Sequence, residues 1–181
     1  MLFRSTSVIC SDKTGTLTQN KMTVKEIFVD GKHCKLDVDK IPNSPILMKA
    51  FVYCNDCNYD FSKDKLDDVL NGDPTETALI KAYFNNVDVL KNTVSNVNRV
   101  FDIPFDSSRK MMSVIVKENG REACYVKGAP ERLINKCRYI HEEGRVKLLT
   151  SQKKQQILNV VENMSNRALR CIGGAYKEEN L

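Results

Sequence analysis

The sequence predicts an α/β chain of the α+β type, in which a mostly antiparallel sheet is flanked by helices. Three observations lead there. Asp30-Gly31 and Asn119-Gly120 each divide two strand-like runs, and such pairs favour the tight turns that join antiparallel neighbours. Pro45, Pro74 and Pro130 each open an apolar stretch, and proline suits the first turn of a helix, where its missing N–H has no intrahelical partner to lose. Strands and helices alternate irregularly, unlike the regular βαβ order of a parallel sheet.

In chain order, residues 7–11 read as a short buried strand ending at Asp12. The run TVKEIFVDGKHCKLDV (23–38) gives two strands about Asp30-Gly31. Ser44 caps a helix that enters at Pro45 and continues through ILMKAFVYC. A polar loop fills 55–68. Asp73 caps a second helix, Pro74 takes its first position, and Glu76 falls third, a near capping box with Asp in place of Ser or Thr. Residues 99–105 form a strand ending at Phe105, and MMSVIVKENGREACYVKG folds back on itself at Asn119-Gly120. APERLINKC is a short helix. A longer helix starts after Thr150 or Ser151, with Ile157, Val160, Val161 and Met164 at helical spacing. ALRCIGGAY is the last strand.

The second hairpin makes a geometric prediction. With Asn119 and Gly120 as turn residues, Glu118 pairs with Arg121 and Met112 faces Lys127. Alternation then puts Lys110, Met112 and Lys127 on one face at one end of the hairpin. Two lysines around a polarisable apolar side chain suit a ligand with an anionic end and a flat apolar end. A solvated lysine pair is the simpler alternative, and a one-residue slip would move every side chain to the other face. Gly128 allows close backbone approach where the strand gives way to the helix at Pro130.

The chain has 181 residues, enough for one substantial domain. Its net charge of +5, from 28 Lys+Arg against 23 Asp+Glu, is too mild for a nucleic-acid footprint. No uncharged apolar run reaches the roughly 18 residues that span a membrane, and Arg4 and Ser5 interrupt any signal-peptide pattern at the start. The seven cysteines, odd in number, read as reduced thiols in a cytoplasmic setting. Cys54-x-x-Cys57 lacks a second pair to complete a metal site and reads as a helix end with one buried and one half-exposed thiol. Neither a GxxxxGK[ST] loop nor a GxGxxG fingerprint is present. Asp12 sits at a strand end, where open α/β sheets place ligands. Its carboxylate can attack phosphorus to give an aspartyl-phosphate, with Lys13 to offset phosphate charge. A strand-end aspartate that merely caps a turn fits the local chemistry equally well.

SDKTGTLTQNKMTV resembles the phosphorylation motif of P-type cation-transporting ATPases. GDPTETAL, PFDSSRKMMSV, YVKGAPERLINKC and ALRCIGGAY resemble nucleotide-domain segments of these pumps in order and rough spacing, and YCNDCN favours their calcium-pump branch. The resemblance covers essentially the whole chain. It implies a partial phosphorylation-domain segment at 1–22 and the nucleotide-binding domain fold over 23–181, with a strand completing the sheet expected beyond residue 181.

Residue by residue, the resemblance implies that Asp12 is the phosphorylated nucleophile, with Lys13 and Thr14 beside it. Asp12 and Thr14 would meet Mg²⁺ only in the full pump. Thr14 stands where related phosphatases carry an acid, which fits a longer-lived aspartyl-phosphate. Phe105 resembles the aromatic that stacks on adenine. Glu76, Lys110 and Lys127, with Gly128 adjoining, resemble the nucleotide contacts, Met112 an apolar wall, and Arg170 the arginine that reaches ATP phosphate. Ser107 departs from some calcium pumps, which carry arginine there, so that one phosphate contact is either missing or supplied by Arg109. The magnesium-binding GDGxND segment is absent from the chain.

The implied function is an ATP-binding cytoplasmic domain of an integral membrane pump, with calcium as the branch-level ion. ATP, Mg²⁺ and the remaining phosphorylation, actuator and membrane domains are its implied partners, and nucleic acid is not. The chain alone is expected to bind ATP without phosphorylating itself. Two alternatives are a self-contained phosphotransferase of the same superfamily and a non-catalytic adaptor that has lost ATP.

Overall fold

The computed structural model describes residues 21–36, 43–118 and 120–178. Asp12, Lys13, Thr14, the strand expected at 7–11 and turn residue Asn119 lie outside them.

The first expected hairpin forms from β1 (Glu26–Val29) and β2 (Lys32–Lys35). Asp30 and Gly31 both take positive φ, 53° and 72°, the backbone that a tight two-residue hairpin turn requires. Helix α1 (Pro45–Tyr53) starts at the expected proline, but the Ser44 side chain makes no capping bond. The loop after it is not wholly irregular. It contains β3 (Asn58–Tyr59), the one-turn helix α2 (Leu66–Val69) and β4 (Leu70–Asn71), with β3 and β4 paired antiparallel. Helix α3 (Pro74–Tyr83) is capped by Asp73, whose carboxylate accepts the Thr75 N–H at 2.7 Å.

Two elements answer to no pattern described above. Helix α4 (Val87–Ser95) is capped by Asn86, which accepts the Val89 N–H at 3.0 Å. The hairpin of β8 (Tyr139–Glu142) and β9 (Arg145–Leu148) turns at Glu143 and Gly144, with φ of 55° and 72°. Glutamate is an uncommon residue in left-handed backbone, so the turn carries a weak sequence signal.

The central sheet has the order β10-β7-β6-β5, all antiparallel: β5 (Asn98–Asp106), β6 (Met111–Glu118), β7 (Arg121–Gly128) and β10 (Gly173–Glu178). The last strand begins at Gly173, later than the apolar run from Ala168 suggests. In between, α5 (Pro130–Leu133) and the long α6 (Ser151–Asn166) follow their expected starts, and Thr150 caps α6 through the Lys153 N–H. Met112, Val114 and Val116 of β6, with Ala123 and Tyr125 of β7, point to one face and form the core. Ala50, Val52 and Tyr53 of α1, Ile80 of α3 and Leu90 of α4 cover them. Burying each large aliphatic side chain contributes roughly 1.5–3 kcal/mol. Cys54 and Cys57 are both buried here, which corrects the half-exposed expectation. The α1 end turns inward onto the sheet, and Cys54 Sγ donates to Tyr125 O at 3.0 Å. Burial pushes the Cys54 thiol up to about 12, so it is an inert core group.

Helix α6 ends in a Schellman turn. The Ala168 N–H reaches Ser165 O at 2.9 Å and the Leu169 N–H reaches Met164 O at 3.2 Å. Ala168 takes φ +58°, a left-handed backbone that costs a non-glycine residue about 1 kcal/mol. Arg167, just before it, grips Glu26 of β1 with two guanidinium nitrogens. One is 2.6 Å from Oε2, which His33 Nε2 also meets at 2.6 Å.

Gly128 of β7 packs tightly against Lys110 and Met111. A Cβ there would lie 2.4 Å from Lys110 O and 2.7 Å from Met111 Cα. Because backbone cannot yield as a flexible side chain does, Gly128→Ala should cost about 2 kcal/mol or more, read as a fall in the urea midpoint. A second prediction concerns acid. The Arg167 hydrogen bonds hold the Glu26 carboxyl down at about 2, against an ordinary 4.5. A pKa lowered by folding contributes stability fully above 4.5, and that contribution is lost as pH falls from there through about 2. Carboxyl-detected NMR titration should find Glu26 protonating near 2, and the value should return toward 4.5 in Arg167→Met.

Candidate functional site

One end of the central sheet gathers most of the residues singled out by sequence. The register pairs Glu118 with Arg121 and Met112 with Lys127, as the turn count requires. Lys127 is a charged residue only 6 % exposed. Its Nζ donates to Glu76 Oε1 at 2.5 Å. Glu76 therefore does not close a capping box; its other oxygen accepts the Asp56 N–H at 3.3 Å. A buried ammonium needs a counter-charge far more than an exposed helix N–H needs a second cap.

Around this pair the backbone is tied down by Asn55, which sequence reasoning passed over. It is buried and its Nδ2 donates to Phe51 O at 3.2 Å and Glu76 O at 3.0 Å, while its Oδ1 accepts the Cys57 N–H at 2.9 Å. One side chain thus joins the end of α1 to the first turn of α3. Only its place in an otherwise polar stretch could have hinted at it. Arg99 of β5 donates to Asn55 O at 3.2 Å and lies 3.6 Å from both Asp56 and Asp102.

Met112 is packed in the core, opposite Lys127, and forms the floor beneath it. Phe105 lies at the end of β5 with 63 % of its surface exposed. After it the chain turns through Asp106, whose carboxylate accepts Ser108 Oγ at 2.5 Å and the Arg109 N–H at 2.7 Å. The Ser108 hydroxyl, and then the Arg109 N–H, hold that carboxyl below its ordinary range.

Lys110 takes φ +55° in this turn, so strand alternation stops at Met111 and does not carry the shared face on to Lys110. The count placed only Met112 and Lys127 correctly, because a left-handed residue rotates its side chain out of the pleat. Arg109 donates to Ser113 Oγ at 3.0 Å, and alternation puts Ser113 on the face opposite Met112. Arg170 joins the site from another direction, donating through Nη1 to Thr75 Oγ1 at 3.0 Å, beside Glu76. Gly128 abuts Lys110 and Met111. The structure thus brings Glu76, Met112 and Lys127 together and ties Arg170 to the same helix turn. Phe105 and Lys110 stand at the exposed corner.

A cavity of about 1130 Å³ lies on the other face of the sheet, and Thr75 and Arg170 reach its lining. It runs from the opposite face of the sheet, at Met111 and Val126, to Val160, Val161 and Met164 of α6, and Glu76, Phe105 and Lys127 do not line it.

The family described as P-type ATPase, cytoplasmic domain N, matches residues 44–181. The chain is 37% identical over 179 residues to calcium-transporting ATPase 1 of Bacillus cereus, a match that covers 97% of this chain and 19% of that protein. It is 39% identical over 175 residues to calcium-transporting ATPase 1 of Lactococcus lactis, covering 96% and 19%. A calcium-transporting ATPase of Listeria monocytogenes is 37% identical over 182 residues, covering 96% and 20%. The chain belongs to the P-type ATPases. It spans about a fifth of the length of these relatives, and the matched description makes it their cytoplasmic N domain.

In this P-type ATPase domain the Lys127–Glu76 pair can act as a charged, preordered contact for a polar ligand while Phe105 offers an exposed aromatic face. The pair is also structural. Glu76→Ala leaves a buried ammonium without its carboxylate and should cost about 3 kcal/mol. Glu76→Ala combined with Lys127→Met should recover most of that loss, because an apolar side chain of similar length needs no partner. Chemical denaturation of both variants checks the difference.

Proposed function

We propose that this domain binds ATP and presents its γ-phosphate to Asp12 within a calcium-transporting pump. The observation that carries the reading is the buried Lys127, paired with Glu76 at 2.5 Å on the face where Met112 forms the floor and next to the exposed corner that holds Phe105. Adenine stacks on the Phe105 ring, since aromatic faces bind flat bases with little loss of side-chain freedom. Lys127 and Lys110 supply positive charge at its sides and toward the phosphates, and Arg170 adds a planar fork suited to phosphate oxygens.

In the full pump an Asp12 carboxylate oxygen attacks the γ-phosphorus in line. The bond to the β,γ-bridging oxygen breaks, and ADP leaves with that electron pair. Mg²⁺ bound with the nucleotide would supply positive charge to offset that developing on the transferred group. Asp12 and Thr14 are its proposed ligands there; among the described residues, no group of three or more His, Cys, Asp or Glu side chains is placed to hold a metal ion. No described helix is long and apolar enough to cross a membrane. The membrane part and calcium as the ion belong to this proposal through the calcium-transporting relatives.

Titration of the chain with ATP, followed by residue-resolved NMR, tests the reading. Shifts should centre on Glu76, Phe105, Lys110 and Lys127. Phe105→Ala, an exposed substitution that leaves the core intact, should weaken binding about tenfold, and Lys127→Met should weaken it as well. A folded chain that shows no shifts at millimolar ATP would favour an adaptor that keeps the fold without the nucleotide. The chain by itself should form no hydroxylamine-labile phosphate on Asp12, and detection of one would show that it carries its own transfer machinery.

A further inference from the structure

We infer that the Glu26–Arg167 ion pair is a positioning device for Arg170, through which the first hairpin controls how a nucleotide's phosphates are met. This rests on the nucleotide reading above.

Glu26 belongs to a two-stranded hairpin, yet its side chain is only 8 % exposed. Both its oxygens are taken by Arg167, with His33 on one of them. Such two-point gripping fixes direction as well as distance. Arg167 is the C-cap of α6, three residues before Arg170. Between them lies the Schellman turn with Ala168 at φ +58°, a backbone state that persists only when its surroundings over-determine it. Beyond the turn, Arg170 is held in its own way, on Thr75 Oγ1 at 3.0 Å.

A second contact points the same way. Thr75 Oγ1 also reaches Met22 Sδ at 3.3 Å. The segment leading into β1 and the Arg170 guanidinium therefore meet at one hydroxyl, next to Glu76. Glu26 holds that segment to the end of α6, so the hairpin, the turn and Arg170 form one closed loop of contacts. An arginine preordered in this way gives up less conformational freedom when it meets an anion. The clamp therefore favours ligands that carry phosphates and leaves the adenine corner unaffected.

The test is a double-mutant cycle on the 181-residue chain, with ATP and adenosine titrated separately by calorimetry or NMR. Glu26→Gln should weaken ATP about fivefold and leave adenosine unchanged. Arg170→Ala should weaken ATP by more, and Glu26→Gln added to it should have no further effect. Additive losses in the double variant, equal losses for ATP and adenosine, or an unchanged ATP affinity in Glu26→Gln would each overturn the positioning role. If Glu26→Gln does not fold, Arg167→Lys, which keeps the charge but loses the two-point fork, is read through the same cycle. A wild-type chain that binds neither ligand removes the nucleotide reading and the positioning role together. A wild-type chain that binds ATP while the cycle is additive removes the positioning role alone.

Discussion

An ammonium group taken out of water costs several kcal/mol unless a carboxylate accompanies it, and the Lys127–Glu76 pair sets that condition at the centre of this domain. Lys127 enters on the sheet and Glu76 on the first turn of α3, so the pair forms only when α3 is held against the end of β7. Asn55 provides that hold, by binding the Phe51 and Glu76 carbonyls together. Its own backbone oxygen accepts from Arg99 on β5. The end of α1, the first turn of α3 and the start of β5 are thus tied together through Asn55, beside the charge buried near the end of β7. Each tie is a directed polar contact rather than added apolar area.

Charge at this corner is balanced by proximity. Beside it the same face of the sheet is apolar at Met112, Val114 and Val116, which share the core with residues of α1, α3 and α4. Rigid packing there keeps Lys127 from retreating and holds Glu76 within hydrogen-bond reach. The rim is built differently. Phe105 and Asp106 end β5, and the turn from there to Lys110 is held by the Asp106 carboxylate and backbone. A stiff floor beside an exposed rim is the arrangement that the proposed nucleotide site would use.

Much of the architecture could be read from local chemistry. Asp30-Gly31 lies in a hairpin turn because both residues accept positive φ, and Pro45, Pro74 and Pro130 mark helix starts because each loses no hydrogen bond there. The Met112–Lys127 pairing followed from a turn of two residues and a period of two. Glu143-Gly144 escaped notice because glutamate rarely occupies left-handed backbone, and α4 escaped because its one clear signal, Asn86, reads equally well as a loop residue. Lys110 went astray for the same reason as Glu143, since alternation has no meaning across a residue with positive φ.

Sequence by itself determined the helix starts at Pro45, Pro74, Pro130 and Ser151, the register of the second hairpin and the family resemblance, all of which rest on contacts between residues close in the chain or on long local motifs. Tertiary structure alone decided that Glu76 serves Lys127 instead of its own helix end, that Asn55 is a buried tie, that Arg109 turns to Ser113, and that Glu26 meets Arg167 from the far end of the chain. Those partners are separated by as many as 141 positions, with Arg109–Ser113 and the Asn55 contacts to Phe51 and Cys57 as the near exceptions. A side chain with several possible hydrogen-bond partners carries no local mark of its choice. The choice is made when packing leaves one partner within reach and shields the others from water.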